Sequence, residues 1–108
     1  MSRGDVVIVA APGDYGNPRP VVIVQSEAIP ESHGSVVICQ LTSDLAEADF
    51  RITIEPGAAT GLRTRSQVMA DKPVTIRRER IGRLIGRIGS TDMARVNAAL
   101  ALVMGLAD

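Results

Sequence analysis

Runs of consecutive Val and Ile are the feature that most constrains how this chain can fold. They occupy residues 6–9, 21–24 and 36–38, and segments rich in Gly, Pro and polar residues separate them. Branching at Cβ favours extended backbone, and a short apolar run bounded by turn residues is typical of a buried strand. At 108 residues the chain is large enough for one hydrophobic core, so residues 1–108 are expected to form a single domain.

The rest of the first ninety residues also reads as strands. Residues 50–55 alternate apolar and polar side chains, as in a half-buried strand. The predicted strands are residues 5–10, 20–26, 35–41, 50–55, 66–70 and 74–76. The last two are expected to be separate because Pro73 cannot donate a ladder hydrogen bond. A turn at 77–80 should precede a bent strand at 81–88, in which Gly82 and Gly86 allow backbones to approach closely.

One helix is predicted, over residues 91–104. Ser90 suits its N-cap, Asp92 suits its positive first turn, and Gly105 can end it. Helical spacing predicts a sheet-facing side made of Met93, Val96, Leu100 and Val103. The expected fold is therefore mainly β, a compact and mostly antiparallel β-barrel with a C-terminal helix.

The composition narrows the classes of function. Tyr15 and Phe50 are the only aromatic residues, which argues against recognition by rows of stacking aromatics. Cys39 lies within an apolar run and is interpreted as a small buried hydrophobe, whereas His33 lies in a turn-rich loop and should face solvent. With one Cys and one His, no metal site and no cofactor are expected within one chain.

No apolar run approaches 18 residues and no signal peptide is visible, so a cytoplasmic protein with no membrane contact is expected.

The net charge of zero hides an asymmetry. Residues 1–50 hold two basic and seven acidic residues, while residues 51–95 hold ten basic and four acidic ones. Nine of those ten are Arg, which suits phosphate recognition, although a solvated charged face fits equally well.

A cation at the start of the second strand is the strongest candidate for chemistry. Arg19 stands between Pro18 and Pro20, which restrict its backbone, and it keeps its charge at physiological pH. Thr42 and Ser43 follow the third strand. Strand ends gather at one rim of a small barrel, so these groups could converge there with Arg63, Arg65 and Ser66. An arginine with a hydroxyl donor suits stabilisation of a pentavalent phosphate, but Arg19 could equally be structural.

Several separated segments together resemble the MazF/PemK (Kid) toxin family. They are Arg3-Gly4-Asp5-Val6-Val7, residues 19–26, Leu41-Thr42-Ser43, Gly61-Leu62, residues 66–71, residues 85–87 and the closing helix. Their order and spacing match the family over nearly the whole chain. The resemblance implies an SH3-like barrel and the toxin of a type II toxin–antitoxin module.

The resemblance also implies an activity. Family members are homodimeric, metal-independent endoribonucleases that cut single-stranded RNA at short sequences and so block translation of mRNA. The neighbouring 2′-hydroxyl attacks the scissile phosphate, which leaves a 2′,3′-cyclic phosphate and a 5′-hydroxyl. The catalytic arginine and threonine of the family fall on Arg19 and Thr42. The expected partners are single-stranded RNA, a cognate antitoxin and a second copy of the chain.

The remaining candidate residues are assigned to RNA binding. They are Tyr15, Asn17, Ser43, Arg63, Arg65, Ser66, Asp71 and Lys72. Tyr15 could stack on a base or simply anchor its loop. Many members carry an acidic residue and a lysine in the loop before the Arg-Pro motif, whereas here that loop is short and offers Asp14, Tyr15 and Asn17. At the later strand, where members often have Asp-Gln, this chain has Asp71-Lys72-Pro73. Two alternatives keep the fold without this chemistry: a barrel toxin that binds DNA gyrase, and a silent homologue that only binds an antitoxin.

Overall fold

Six antiparallel strands and one C-terminal helix make up the part of the chain that the computed structural model describes, residues 1–10 and 17–106. The strands are β1 (Asp5–Val9), β2 (Arg19–Ile23), β3 (Ser35–Thr42), β4 (Arg51–Ile54), β5 (Ser66–Arg77) and β6 (Ile81–Arg87). A 3-10 turn, Arg78–Arg80, links β5 to β6, and the helix α1 spans Ser90–Val103. This confirms the mainly β fold with a C-terminal helix. No helix in the described ranges is long and apolar enough to cross a membrane.

The sheet curls on itself. Its strand order is β4-β5-β3-β2-β1-β6, so β5 and β6 lie on opposite sides of the three central strands. Only the turn Arg78–Arg80 separates β5 from β6 in sequence, so their adjoining ends must lie close together. The strands between them therefore wrap into a barrel-like shape, as the sequence predicts.

The central strands bury both of their faces. On β1, the consecutive residues Val6 and Val7 point to opposite faces of the sheet, and both are fully buried. Val6 belongs to a cluster that includes Val96 and Ala99 of α1. The second cluster lies on the other face and comprises Val7, Val9, Val21, Ile23, Val36 and Ile38. Runs of Val and Ile without polar alternation are needed here because neither face meets water.

β5 is one strand of 12 residues, so the prediction of two short strands separated at Pro73 is wrong. Pro73 pairs with Cys39 of β3, and the next pair in the register joins Leu41 to Val68. This register shift places four β5 residues opposite a single β3 residue. Such an irregularity tolerates a proline, because the regular ladder is already interrupted there. The strand therefore continues through the proline.

The two ends of α1 differ in how well the sequence predicts them. Gly89, with extended backbone, is the N-cap, so the assignment of that position to Ser90 is wrong. Ser90 is instead the first helical residue. At the other end Gly105 has φ of 71°, the left-handed conformation that terminates helices, and this confirms its predicted role.

The sheet-facing side of α1 is largely as predicted. Val96 is fully buried, and Met93 and Leu100 pack against the same cluster. Val103 is 39% exposed, so its predicted packing on the sheet is wrong. Ala99, one turn earlier, is buried instead and belongs to the same cluster as Val96.

The segment between β4 and β5 lies against β6 at a glycine contact. A Cβ built on Gly86 would lie 2.2 Å from the carbonyl carbon of Thr60. A Cβ on Gly61, whose φ is 74°, would lie 2.2 Å from the carbonyl oxygen of Ile85. No side chain fits at either position, so the two backbones touch directly. This confirms the predicted role of Gly86 as a point of close approach.

We expect Gly86→Ala to lower the free energy of unfolding by about 2 kcal/mol or more, because the added methyl group must displace the backbone at Thr60. Gly34→Ala is the matched control, since a Cβ on Gly34 would meet no heavy atom within 4 Å and the φ of Gly34 is not positive. That control should be neutral or stabilising by about 0.5 kcal/mol. Urea unfolding followed by circular dichroism measures both, and equal effects would contradict the glycine contact.

Candidate active site

A cleft of about 470 Å³ lies where β2 begins and β3 ends. It is lined by Asn17, Pro18, Arg19, Pro20, Leu41, Thr42, Ser43, Thr64 and Ser66. Five of these residues are sequence-predicted site residues: Asn17, Arg19, Thr42, Ser43 and Ser66. The structure therefore brings together groups that lie up to 49 positions apart, residues 17 and 66, at one edge of the sheet.

Arg19 is the first residue of β2 and is exposed at the cleft. Its backbone pairs with Val9 of β1, and Pro20 pairs with Ile8. Pro20 fixes its own φ and pushes the preceding residue toward extended backbone. The guanidinium group is thus carried on a backbone with little freedom, at the point where the buried part of the strand begins.

Thr42 is the last residue of β3 and is half-buried. Its backbone pairs with Gln67 of β5, and its Oγ1 accepts a hydrogen bond of 3.1 Å from the backbone N–H of Asp44. A hydroxyl that accepts from a backbone amide still has its own proton to donate. Because Thr42 lines the cleft, this proton is available to an anion bound there.

Gln67 holds the loop that follows Thr42, a role that sequence reasoning missed. Its side chain is 5% exposed. The amide oxygen accepts the N–H of Ala46 at 2.9 Å, and the amide nitrogen donates to the carbonyl of Ala46 at 2.8 Å and to Oγ1 of Thr53 at 3.3 Å. These bonds tie the β3–β4 loop to β5 and satisfy a buried polar group. A buried Gln in an apolar strand is the signal that could have indicated it.

A second cleft of about 480 Å³ adjoins the first. It is lined by Ile8, Pro18, Pro20, Gly61, Leu62, Arg63, Thr64, Ser66, Arg83 and Ile85. Arg63 is a predicted RNA-binding residue, whereas Thr64 and Arg83 were not singled out from the sequence. Thr64 and Ser66 line both clefts, so they lie where the two clefts meet. The carbonyl of Thr64 accepts a hydrogen bond of 3.0 Å from Ser66 Oγ.

Two other predicted RNA-binding residues, Arg65 and Lys72, line neither cleft. Arg65 forms an exposed ion pair of 3.0 Å with Glu55. Lys72 is exposed on β5 and lines neither cleft. Tyr15 falls within residues 11–16, outside the described residues. Their roles in RNA binding stay predictions.

Asp71 lines neither cleft and is paired with Arg51 of β4. The Arg51 side chain donates from Nε to Oδ1 at 2.9 Å and from Nη2 to Oδ2 at 3.3 Å, a two-pronged contact between β4 and β5. This hydrogen bonding lowers the pKa of the Asp71 carboxyl from its ordinary value. Asp71 therefore has a structural role here, and its predicted role in RNA binding stays a prediction.

The two residues predicted to have no part in the chemistry behave as expected. Cys39 is fully buried, and burial raises the pKa of its thiol to about 11. The thiolate is the reactive form, so this cysteine is inert at neutral pH. His33 is exposed, which confirms its predicted position.

The fold and the cleft define a class of protein: a small curled β-sheet with one helix and an arginine–hydroxyl cleft suited to binding a phosphate group. Residues 2–104 match the family of PemK-like, MazF-like toxins of type II toxin–antitoxin systems, and the chain belongs to this family.

Two curated relatives share almost the full length of the chain. The chain is 42% identical over 108 residues to the probable endoribonuclease MazF of Mycolicibacterium smegmatis, covering 99% of each protein. It is 28% identical over 116 residues to the endoribonuclease MazF9 of Mycobacterium tuberculosis, covering 98% of each.

Solved structures share the fold at lower identity. A mycobacterial endoribonuclease in complex with its cognate antitoxin superposes with a TM-score of 0.84 at 24% identity, over 98% of this chain and 96% of that one. A MazE–MazF structure from Deinococcus radiodurans gives a TM-score of 0.80 at 21% identity, over 97% of this chain and 95% of that one. These likenesses confirm the predicted barrel-like fold.

We expect Asp71→Asn to lower the free energy of unfolding by about 1 kcal/mol at pH 7, because it breaks the contact between β4 and β5. The pKa of Asp71 is lower in the folded protein than in the unfolded chain, so its stabilisation is complete above the unfolded pKa. The stabilisation by Asp71 is lost as the pH falls through the pKa that Asp71 has in the folded protein. The stability difference should be constant from pH 7 to about pH 5 and should shrink below about pH 4.

Urea unfolding of both proteins across this pH range measures the effect. Glu55→Gln is the control, because its ion pair with Arg65 is exposed to solvent on both sides and should change stability little. A difference between wild type and Asp71→Asn that grows on acidification would contradict the assignment.

Proposed function

We propose that this protein is the toxin of a type II toxin–antitoxin module and acts as a metal-independent, sequence-specific endoribonuclease on single-stranded RNA. The observation that carries the proposal is the presence of Arg19 and Thr42 in one cleft, in a chain of the MazF-like family. The 42% identity to a probable endoribonuclease over 99% of both chains supports it. Cleavage of mRNA would block translation and growth.

Arg19 is proposed to stabilise the transition state. When the 2′-hydroxyl of the preceding nucleotide attacks the scissile phosphorus, negative charge builds up on the non-bridging oxygens. A guanidinium group offers paired N–H donors with fixed geometry for those oxygens. Its pKa above about 12 makes it a poor base at neutral pH, so its contribution is electrostatic.

Thr42 is proposed to donate a hydrogen bond to the same phosphate. Its hydroxyl oxygen already accepts the N–H of Asp44, so the hydroxyl proton is still available to donate to a phosphate in the cleft. The 2′-hydroxyl gives its proton to solvent as its oxygen bonds to phosphorus, the bond from phosphorus to the 5′-oxygen breaks, and that oxygen takes up a proton from solvent. The products end in a 2′,3′-cyclic phosphate and a 5′-hydroxyl. The nucleophile comes from RNA, so the protein mainly positions the phosphate and stabilises charge.

The described lining of the cleft supports this division of labour. It contains one cation, four hydroxyl groups, one amide group, and no carboxylate or imidazole among the described residues. Asn17 and Ser43 flank Arg19 and Thr42 in sequence and line the same cleft. We propose that they bind the nucleotides on either side of the scissile phosphate. Arg63 and Ser66 are proposed to bind the RNA strand farther from the scissile phosphate.

Two protein partners belong to the proposal. A cognate antitoxin is expected because the family consists of toxins from toxin–antitoxin systems, and a solved mycobacterial neighbour is in complex with its antitoxin. A homodimer is expected from the resemblance to the family. Exposed apolar residues near the end of α1, Leu102, Met104 and Leu106, are available for such contacts. Because translated mRNA is cytoplasmic, the proposal places the protein in the cytoplasm.

The test is cleavage of a long RNA by purified protein in EDTA, with the 5′ ends mapped. We expect discrete cuts by the wild type and a loss of about 100-fold or more in rate for Arg19→Ala. Thr42→Val should lose about 100-fold because it keeps the shape of the side chain without the hydroxyl. Thr42→Ser, the matched control, should stay within about 10-fold of wild type.

A synthetic substrate with a single 2′-deoxy nucleotide at the cut position tests the nucleophile and should remain intact. Cleavage of this substrate would contradict attack by the 2′-hydroxyl. Intact natural RNA with every preparation of folded wild-type protein would contradict the endoribonuclease proposal. In that case inhibition of DNA gyrase or binding of the antitoxin alone would identify the other class of toxin.

A further inference from the structure

The two clefts form one continuous groove. They share four lining residues: Pro18, Pro20, Thr64 and Ser66. The first part of the groove holds Arg19 and Thr42, and the second part holds Arg63 and Arg83. A strand of nucleic acid has a phosphate at every nucleotide, so a chain whose scissile phosphate lies beside Arg19 can place a neighbouring phosphate in the second part.

Arg83 lines this groove from a part of β6 that bulges. The register pairs Val7 with Leu84 and Val9 with Ile81, so two β6 residues, Gly82 and Arg83, oppose the single β1 residue between Val7 and Val9. Bulges redirect side chains and are frequent beside active sites. A Cβ on Gly82 would lie 3.0 Å from the carbonyl oxygen of Ile8, so the bulge also brings the backbones close together.

Arg63 reaches the same part of the groove from the other side. It follows Gly61 by two residues, and the Gly61 backbone lies directly against Ile85 of β6. The N–H of Arg87 donates to the carbonyl of Ala59 at 2.8 Å, which adds a backbone hydrogen bond between the same two segments. The loop that carries Arg63 is therefore attached to the strand that carries Arg83, and the two arginines line one cleft.

Among the described residues, no carboxylate compensates the charge of this part of the groove. No Asp or Glu is among the residues that line either cleft in the described part of the chain. Arg65, by contrast, is paired with Glu55, and Arg87 is paired with Asp5. Arg63 and Arg83 form no ion pair with any described residue, so their guanidinium groups are available to an anion from outside.

We propose that Arg63 and Arg83 form a second phosphate-binding site, which holds the backbone phosphate of a nucleotide adjacent to the scissile one and so sets the register of the RNA in the groove. This inference rests on the proposed function. Arg83 acts in substrate binding and does not touch the reacting atoms. Its contacts are the same before and during reaction, so its loss should raise KM and leave kcat nearly unchanged.

The first experiment compares Arg83→Gln with Arg77→Gln on a short RNA that contains the mapped cut site. Arg77 is an exposed arginine at the end of β5 that lines neither cleft. We expect kcat/KM to fall about 10-fold for Arg83→Gln, through KM, and to stay unchanged for Arg77→Gln. Arg83→Lys should recover part of the loss because it keeps the charge without the paired donors. Thermal unfolding confirms that the variants are folded.

The second experiment identifies the phosphate. Each phosphate beside the scissile one is replaced in turn by a neutral methylphosphonate, and cleavage is measured for wild type and Arg83→Gln. At one position the wild type should lose about 10-fold while Arg83→Gln loses clearly less, because only the contact from Arg63 is then left to remove. The salt dependence of RNA binding is compared between Thr42→Val and the double variant that also carries Arg83→Gln. Loss of Arg83 should reduce the slope of log binding constant against log salt concentration by about 0.7.

The possible outcomes separate the two proposals. If wild type cleaves RNA but Arg83→Gln is equally active, or if every methylphosphonate penalty is the same in both proteins, the second phosphate site is wrong and the proposed function stands. If folded wild type leaves all RNAs intact, the proposed function is wrong and this site is wrong with it. A higher KM in Arg83→Gln, together with a methylphosphonate penalty that is smaller in Arg83→Gln than in wild type at one phosphate only, supports the site.

Discussion

The burial of both faces of β1, β2 and β3 is the constraint on which the rest of the structure depends. Adjacent residues such as Val6 and Val7 point in opposite directions and both are fully buried, so neither face of the central sheet can be left in water. Each buried Val or Ile contributes about 1.5–3 kcal/mol through removal of apolar surface from water. One face is covered by α1 with its neighbouring strands, and the other by the curl of the sheet.

The candidate active site follows from that curl. It gathers the start of β2 and the end of β3 at one edge, where the buried runs stop and polar residues begin. The groups around the cleft are then held by backbone and side-chain contacts. These are Pro20 next to Arg19, the buried side-chain amide of Gln67 that bonds the β3–β4 loop, and the glycine contact between Gly61 and β6. A rigid edge of this kind suits a reaction in which positioning and charge provide most of the rate.

Local patterns allowed much of this to be predicted. The Val and Ile runs predicted the central strands, the periodicity of residues 91–104 predicted the helix, and Gly105 predicted its end. The failures occurred where a long-range contact decides the outcome. Pro73 does not end β5 because the register shift beside it removes the need for its missing N–H. Val103 is exposed although it lies at helical spacing from the buried Val96, because burial at a helix end depends on which elements pack there and not on spacing alone.

The sequence by itself determined which segments are strands, which is the helix, and that an arginine and a threonine lie at strand ends, because these properties depend on neighbours a few residues away. It also carried the resemblance that predicted the family. Only the tertiary structure decided which charges are compensated and where they point. Asp71 is paired with Arg51, whereas Arg83 lines the groove beside a bulge of β6, and both outcomes depend on strand pairing between residues far apart in the chain.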